Sequence, residues 1–313
     1  MKTYQFYFSL LILLTIFSCS QDEVIIEDPE PDDFKYEFTQ KHLIHDLTGV
    51  AFPYSFFEPR SMDESTEKYP LIIALHGTEY YLKTESEFLD DPKTGYIALA
   101  WIEENNQIAY PAYVVAPNLN TEIWTQHTEY IDGWTDDYTM DFIEKLLDHL
   151  ILNYTNIDSD RIYLTGHSMG GGATWYLGAK MKDQLAAIVP FAQSYSTNNT
   201  EFNTILSNID NDDFINLPIW EFIHKNDDVG GATTSRIMFT RLQDKGYSPV
   251  YTHFFDDQNI NLSEAAIVNE IQNRKRYFYT EYGYNCGGGE CHYVMTKALK
   301  EEYLFEWLFS QKT

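Results

Sequence analysis

The sequence predicts an α/β fold in which a mostly parallel central sheet is covered by helices on both faces. Two observations predict it: short, continuous apolar runs recur along the chain, and segments with apolar residues at helical spacing follow them. A strand that is covered on both faces is apolar along its whole length. Such strands, alternating with amphipathic helices, indicate a parallel sheet with helical crossovers.

The predicted elements follow this alternation in order. The predicted strands are residues 53–57, 69–77, 112–118, 161–166, 185–191 and 217–224, and the predicted helices are residues 136–154, 173–181, 232–245 and 295–309. The first helix places five apolar residues on one face, namely Phe142, Ile143, Leu146, Leu147 and Leu150. Two later segments, residues 249–255 and 276–282, also have strand character, with helical residues 263–272 between them. Either segment could form the last core strand.

The composition is that of a globular protein whose length fits one large α/β domain or two small ones, and it argues against some partners. Of the 313 residues, 44% are hydrophobic and 16% aromatic, and the formal net charge is −27 at pH 7. A chain of this size can bury a large core. Its negative charge repels phosphate backbones and anionic lipid headgroups, which argues against nucleic-acid binding. Residues 38–313 contain no repeat and no second linker, so they are predicted to form one catalytic domain.

The first 19 residues have the pattern of an export signal. Lys2 precedes an apolar stretch, residues 6–17, that is too short for a membrane span. The stretch ends in IFSC, which resembles the lipobox of bacterial lipoproteins, so that Cys19 would be lipidated and hold the protein at the outer membrane. An ordinary secretory signal with an incidental cysteine is the alternative. Residues 20–37 are acidic and contain proline, which predicts a flexible tether and also resembles the export tag of some surface lipoproteins.

A serine lies among glycines where a predicted strand meets a predicted helix. Residues 166–170 read GHSMG, a G-x-S-x-G pattern. A serine hydroxyl becomes a good nucleophile only when a base removes its proton and the backbone presents it for attack. Glycines on both sides permit the sharp strand-to-helix turn that does this. The pattern nominates Ser168 as a nucleophile, and a helix N-cap serine is the alternative.

An acid and a histidine follow Ser168 in the chain order that such a turn requires. The strand at residues 217–224 is followed by Asp227 and Asp228, and either carboxylate could orient an imidazole. Of the nine histidines, only two come after these acids. His253 lies inside an apolar, strand-like run, where a packed histidine is the ordinary case. His292 lies in a loop before the closing helix and is the predicted base.

The segment NIDSDRIYLTGHSMGGGATWYLGAK, residues 156–180, resembles the nucleophile region of serine esterases of the α/β-hydrolase superfamily. The likeness is to the phospholipase/carboxylesterase-like and the polyhydroxybutyrate-depolymerase or feruloyl-esterase-like members. Their opening strands, acid strand and histidine loop have counterparts too, so the resemblance covers about residues 52–311. It implies an α/β-hydrolase fold, esterase activity, and an oxyanion hole formed by the backbone amides of Met169 and Thr78.

Two features depart from that pattern. The related proteins usually have H-G-x-x-D, whereas HKNDD here lacks the glycine and reaches Asp227 one residue sooner. This favours Asp227 over Asp228 and keeps both as candidates. The segment between the acid and His292 is also longer than usual, which indicates an insertion.

Cys286 and Cys291 flank GGGE immediately before His292. In an exported protein they could form a disulfide that restrains the base. Free thiols, or two ligands of a Cys/Cys/His metal site, are the alternatives. No metal ligation is predicted, because no second cluster supplies further ligands at zinc spacing.

Loops after the strand ends should build the substrate pocket. They carry five aromatic residues that could stack on a sugar or an aromatic acyl group, or could simply pack, namely Tyr80, Tyr81, Trp124, Trp134 and Tyr195. The predicted function is hydrolysis of small-molecule or polysaccharide esters, such as acetyl or feruloyl esters, through an acyl-enzyme and without a cofactor. A prolyl-oligopeptidase-like peptidase and a catalytically inactive binding protein of the same fold are the alternatives.

Overall fold

A computed structural model describes residues 35–46, 49–60, 67–78, 95–119, 133–254 and 260–313, together with Glu87. The predicted signal peptide with Cys19, and the predicted tether as far as residue 34, lie outside these residues. The chain from Tyr36 to Thr313 forms one unit by its internal contacts. No helix in the described part of the chain combines the length and the apolar character of a membrane span.

The strands form one sheet. They are β1 (Thr39–Ile44), β2 (Ala51–Phe57), β3 (Tyr69–Leu75), β4 (Tyr113–Pro117), β5 (Ile157–His167), β6 (Ala187–Phe191), β7 (Ile219–His224), β8 (Val250–Phe254), β9 (Ile260–Asn261) and β10 (Tyr277–Tyr282). The order across the sheet is β1-β2-β4-β3-β5-β6-β7-β10-β8-β9. The strands from β4 to β8 in this order are parallel to their neighbours, whereas β1, β2 and β9 pair antiparallel at the two edges.

The central strands are the continuous apolar runs of the sequence. Every residue of β3, β4, β6, β7 and β10 is buried, as expected for strands that are covered on both faces. The register of these parallel strands places their carboxyl ends side by side. Leu75 of β3 pairs with Gly166 of β5, and His224 of β7 pairs with Tyr282 of β10. The loops that follow these strands therefore start at one edge.

Helices pack on this sheet. They are α1 (Tyr96–Leu99), α2 (Glu104–Ala109), α3 (Asp137–Asn153), α4 (Met169–Lys180), α5 (Thr200–Asp210), α6 (Ala232–Asp244), α7 (Glu264–Gln272), α8 (Met295–Ala298) and α9 (Glu302–Phe309), with 3₁₀ turns at Ala100–Ile102 and Gly288–His292. The predicted apolar face of α3 is buried, and its Phe142 stacks on Phe52 of β2 with ring centroids 4.3 Å apart. The Asp136 carboxylate caps α3 by accepting hydrogen bonds from the backbone amides of Tyr138 and Thr139.

The predicted closing helix at residues 295–309 is wrong as a single element, because it is broken between α8 and α9. In one continuous helix, at about 100° per residue, Met295 and Leu299 would face the opposite side from Leu304 and Leu308. All four side chains are buried. The extended backbone of Glu301 at the break turns both apolar faces toward the core.

The segment between the acid and His292, which was predicted to contain an insertion, extends the sheet at its edge. It contains β8, β9 and α7, after which β10 returns to pair with β7 on one side and β8 on the other. Of the two candidates for the last core strand, it is therefore β10 that lies next to β7. Helix α5 was not predicted, since the residues before it had only loop character in the sequence.

Candidate active site

Ser168 lies in the sharp turn between β5 and α4. Its backbone has φ 59° and ψ −118°, a left-handed conformation that costs a non-glycine residue about 1–3 kcal/mol. The Ser168 amide donates to the Phe191 carbonyl of β6 at 3.0 Å, and its carbonyl accepts from the Gly172 amide of α4 at 3.0 Å. Sheet and helix thus hold the strained residue from both sides, as the predicted nucleophile turn requires.

Two glycines permit the close contacts of this turn. A Cβ at Gly166 would overlap the carbonyl of Gly170, and a Cβ at Gly170 would overlap the carbonyl of Leu75 at the end of β3. The obstacles are backbone atoms, which cannot move aside as a side chain can. Helix α4 can therefore start directly beside β3 and β5 only because both positions lack a side chain.

His292 and Asp227 form a buried hydrogen-bonded pair. His292 Nδ1 donates to Asp227 Oδ2 at 2.8 Å, while Asp227 Oδ1 accepts from the amides of Val229 and Gly230 at 3.1 and 3.3 Å. Ser168, His292 and Asp227 are 2%, 5% and 9% exposed. The adjacent Asp228 is exposed, and its carboxylate is not the one bonded to the imidazole. The pair leaves His292 Nε2 as the acceptor nitrogen that a general base needs.

His292 lies against the nucleophile turn. The imidazole of His167, the residue before Ser168, has its centroid 4.7 Å from that of His292, and its Nε2 donates to the His292 carbonyl at 2.9 Å. His292 Nε2 is buried and makes no hydrogen bond to any described residue, the Ser168 hydroxyl included. In hydrolases without substrate this contact is often long, and it shortens in the reacting complex.

The predicted oxyanion residues lie at the same edge of the sheet. Met169 is the first residue of α4, so its N–H belongs to a helix N-terminus, where amides and the helix dipole favour negative charge. Thr78 follows β3, the neighbour of β5. His76 fixes that segment: its Nδ1 donates to the Gly77 carbonyl at 2.8 Å and its Nε2 accepts from the Leu119 amide at 3.0 Å.

Gln193, two residues after β6, joins the turn that carries Asp227 to helix α4. Its buried side-chain amide donates to the Gly231 carbonyl at 3.1 Å and to Thr234 Oγ1 at 2.7 Å. The backbone carbonyl of Gln193 accepts from the Gly231 amide at 3.1 Å. On the opposite side, a Cβ at Gly171 of α4 would contact the Gln193 backbone. The segment after β6 thus contacts both the end of the acid turn and α4.

These supporting residues were missing from the sequence-based prediction. His76, His167 and His224 precede the acid along the chain, and that order removed them as bases without assigning them another role. Each of them nevertheless lies at or directly after the end of a buried strand. That position is the signal that marks them as neighbours of the site.

Cys286 and Cys291 form a disulfide with Cα atoms 5.4 Å apart. Cys291 is buried and directly precedes His292. His224 lies close to both sulfurs, in a cluster of the kind that can hold a metal ion. Its Nδ1 accepts from the Asn226 amide and its Nε2 donates to the Tyr284 carbonyl, while the two sulfurs are bonded to each other and offer no thiolate ligand.

The other predicted site residues lie elsewhere or are buried. His253 is half-buried on β8, where Thr252 Oγ1 lies 3.2 Å from its Nδ1 and the Tyr282 ring is its aromatic neighbour. Trp134 is fully buried and donates to the His76 carbonyl at 2.9 Å, so it packs rather than forming a sugar platform. Tyr195 is partly buried. Tyr80, Tyr81 and Trp124 lie outside the described residues.

Comparisons with solved structures agree with the fold. A thermostable esterase is 24% identical with a TM-score of 0.66, and the match covers 88% of this chain and 64% of that protein. A ferulic acid esterase is 16% identical with a TM-score of 0.59, covering 87% of this chain and 98% of that one. The CE1 ferulic acid esterase from the anaerobic fungus Anaeromyces mucronatus is 14% identical with a TM-score of 0.53, covering 90% and 92%. These are α/β-hydrolase folds.

A sequence search of curated proteins gives no match. The profile of the Esterase family, described as "Putative esterase", matches residues 48–232, which is more than half of the chain and includes β2 through the acid turn. This match favours neither the peptidase nor the inactive binding protein. With the parallel sheet, the serine turn and the histidine–aspartate pair at one edge, the match establishes that this chain is an α/β-hydrolase of the Esterase family.

Proposed function

We propose that the protein hydrolyses carboxylic esters with Ser168 as nucleophile, His292 as general base and acid, and Asp227 as the orienting carboxylate. The observation that carries this assignment is the buried 2.8 Å hydrogen bond from His292 Nδ1 to Asp227 Oδ2 beside the strained turn of Ser168. That bond fixes the imidazole tautomer in which Nε2 can accept a proton.

The proposed reaction proceeds in two acyl-transfer steps. His292 Nε2 removes the hydroxyl proton as Ser168 Oγ attacks the ester carbonyl, and the resulting imidazolium is stabilised by Asp227. The backbone amides of Met169 and Thr78 stabilise the oxyanion. His292 then protonates the leaving alcohol, and a water molecule, activated by the same nitrogen, releases the acid and restores Ser168. These residues complete the reaction without a cofactor.

The proposed substrates are acetyl or feruloyl esters of carbohydrate. Two of the similar solved structures are named as ferulic acid esterases, which supports a feruloyl ester among these substrates. The carboxyl edge of the sheet, where α/β folds bind ligands, carries the proposed catalytic residues. Along the chain, most of the candidate aromatic residues follow strands that end at this edge.

The test is hydrolysis of 4-nitrophenyl acetate, a feruloyl ester and acetylated xylan by the protein without residues 1–19. We expect wild-type activity on at least one of them and a loss of about 10³-fold or more in Ser168→Ala and His292→Ala. His253→Ala is the matched histidine control and should retain activity. Activity that survives Ser168→Ala, or its loss in His253→Ala but not in His292→Ala, would refute the assignment.

We also propose that Cys19 carries a lipid anchor that holds the exported protein at the outer membrane, and that residues 20–37 act as its tether. The support is the lipobox-like IFSC after a short apolar stretch. Incorporation of a labelled fatty acid by the full chain, but not by Cys19→Ala, is the expected result. Equal recovery of both proteins in the soluble fraction would contradict it.

A further inference from the structure

His224 lies at the junction of the two loops that carry the acid and the base. It is the last residue of β7 and is fully buried. On the acid side, its Nδ1 accepts from the Asn226 amide at 3.0 Å, and its backbone carbonyl accepts from the Asp227 amide at 3.0 Å. The ring and backbone of one residue therefore fix the turn from which the Asp227 side chain extends.

The same ring contacts the base loop. Its Nε2 donates to the Tyr284 carbonyl at 2.9 Å, and the Tyr284 ring packs edge-on against it with centroids 4.7 Å apart. Cys286 Sγ lies 3.4 and 3.6 Å from the two ring nitrogens. Cys286 is joined by the disulfide to Cys291, the residue directly before His292, so His224 contacts the base loop close to the base itself.

We propose that His224 is a positioning residue that holds the acid turn and the base loop at the separation at which His292 can bond to Asp227. The role rests on the proposed function and goes beyond it, because His224 touches neither substrate nor a reacting atom. It acts through two loops that have no continuous strand pairing with each other beyond the ends of β7 and β10.

The chemistry of the ring explains why a histidine suits this position. One side chain must offer an acceptor to the acid turn and a donor to the base loop, and the neutral imidazole offers both on one rigid ring. Burial lowers the pKa of His224, and this favours the neutral form. A protonated ring would direct an N–H at the Asn226 amide, which is also a donor.

The experiment compares His224→Phe, which keeps a ring and removes both hydrogen bonds, with His224→Gln, which keeps a donor and an acceptor. His149→Gln, at a partly exposed histidine of α3, is the control. In His224→Phe we expect kcat to fall about 10- to 100-fold with KM within about twofold, because a small misplacement of the pair weakens the transition state. His224→Gln should recover most of that loss.

The second readout is the low-field proton resonance of the His292–Asp227 hydrogen bond, identified by its absence in His292→Ala. We expect the resonance to be broadened or lost in His224→Phe and kept in His224→Gln. Equal kcat in the Phe variant, a resonance unchanged by it, or equal losses in both variants would overturn the proposal, since a space-filling role predicts these outcomes. Should His224→Phe not fold, His224→Asn, one methylene shorter than Gln, replaces it.

Failure of the proposed function remains distinguishable. A wild-type protein without esterase activity would refute the function, while the resonance would still report whether His224 positions His292 against Asp227.

Discussion

At the scale of single residues, the hydrogen bonds of one turn determine which of two adjacent aspartates bonds to His292. One carboxylate oxygen of Asp227 accepts hydrogen bonds from the amides of Val229 and Gly230, and this directs the other oxygen to His292. This local hydrogen bonding is typical of aspartate in turns. The sequence left both acids open, because HKNDD shows where the turn lies and not which carboxylate folds back into it.

Asp227→Asn should remove the charge that stabilises the imidazolium and can also invert the tautomer of His292. We expect kcat to fall by about 10³–10⁴-fold with little change in KM. Asp228→Asn, at the neighbouring exposed carboxylate, should stay within about twofold of wild type. Steady-state kinetics on a 4-nitrophenyl ester measure both, and a larger loss in the Asp228 variant would reverse the assignment.

At the scale of elements, the sequence predicts where the strands lie better than it predicts the contacts between elements. Continuous apolar runs identify β3, β4, β6 and β7, because burial on both faces leaves no other pattern. The break between α8 and α9 was missed, since each half is amphipathic and no glycine or proline marks the junction. The supporting contacts of His76, His167 and Gln193 were missed as well. They connect segments far apart in the sequence, and periodicity describes only local structure.

The contact between β3 and α4 gives a test at this scale. Gly170→Ala places a Cβ on the Leu75 carbonyl, so the helix must move away from the strand. We expect a loss of about 1–3 kcal/mol in the free energy of unfolding and lower esterase activity, because Ser168 precedes this helix. Gly287→Ala is the matched control, since a Cβ there meets no atom within 4 Å. Urea unfolding measures both, and equal stabilities would argue against a tight contact.

At the scale of the whole molecule, the net charge is −27, and the protonation of buried carboxyls affects how stability depends on pH. Two glutamates are fully buried below α6. Glu281 pairs with the Arg236 guanidinium, whereas Glu221 accepts a hydrogen bond from the Ser235 hydroxyl at 2.8 Å. Burial raises the pKa of Glu221 to about 8, although the Ser235 hydrogen bond opposes the shift. The folded protein therefore keeps this carboxyl protonated at neutral pH.

The pH dependence of stability follows from that proton. The unfolded chain releases it near pH 4.5 and the folded chain near pH 8, so the folded state binds more protons between these values. The free energy of unfolding then falls as pH rises through this window, by up to about 1.4 kcal/mol per pH unit. Glu221→Gln removes this contribution, so its Tm relative to wild type should rise from pH 5 to pH 8.

Thermal unfolding of both proteins at pH 5, 6.5 and 8 checks this expectation. Repulsion among the other negative charges changes with pH in nearly the same way in both proteins. It therefore cancels in the Tm difference between Glu221→Gln and wild type. Glu104→Gln, at an exposed carboxyl of α2, should follow wild type at each pH. A Tm difference for Glu221→Gln that stays constant over the range would show that the buried carboxyl does not titrate there.

The position of β10 between β7 and β8 also determines when this chain can finish folding on the ribosome. Strand β8 is synthesised first but has no place in the sheet until β10 emerges to separate it from β7. Until residue 282 is available, β7 ends the nascent sheet with an unpaired edge, a hazard for aggregation. The chain continues from this strand to His292, which bonds to Asp227, so hydrolytic competence should arise only after residue 292 has been synthesised. A nascent enzyme of this architecture would stay inactive until that residue has left the ribosome.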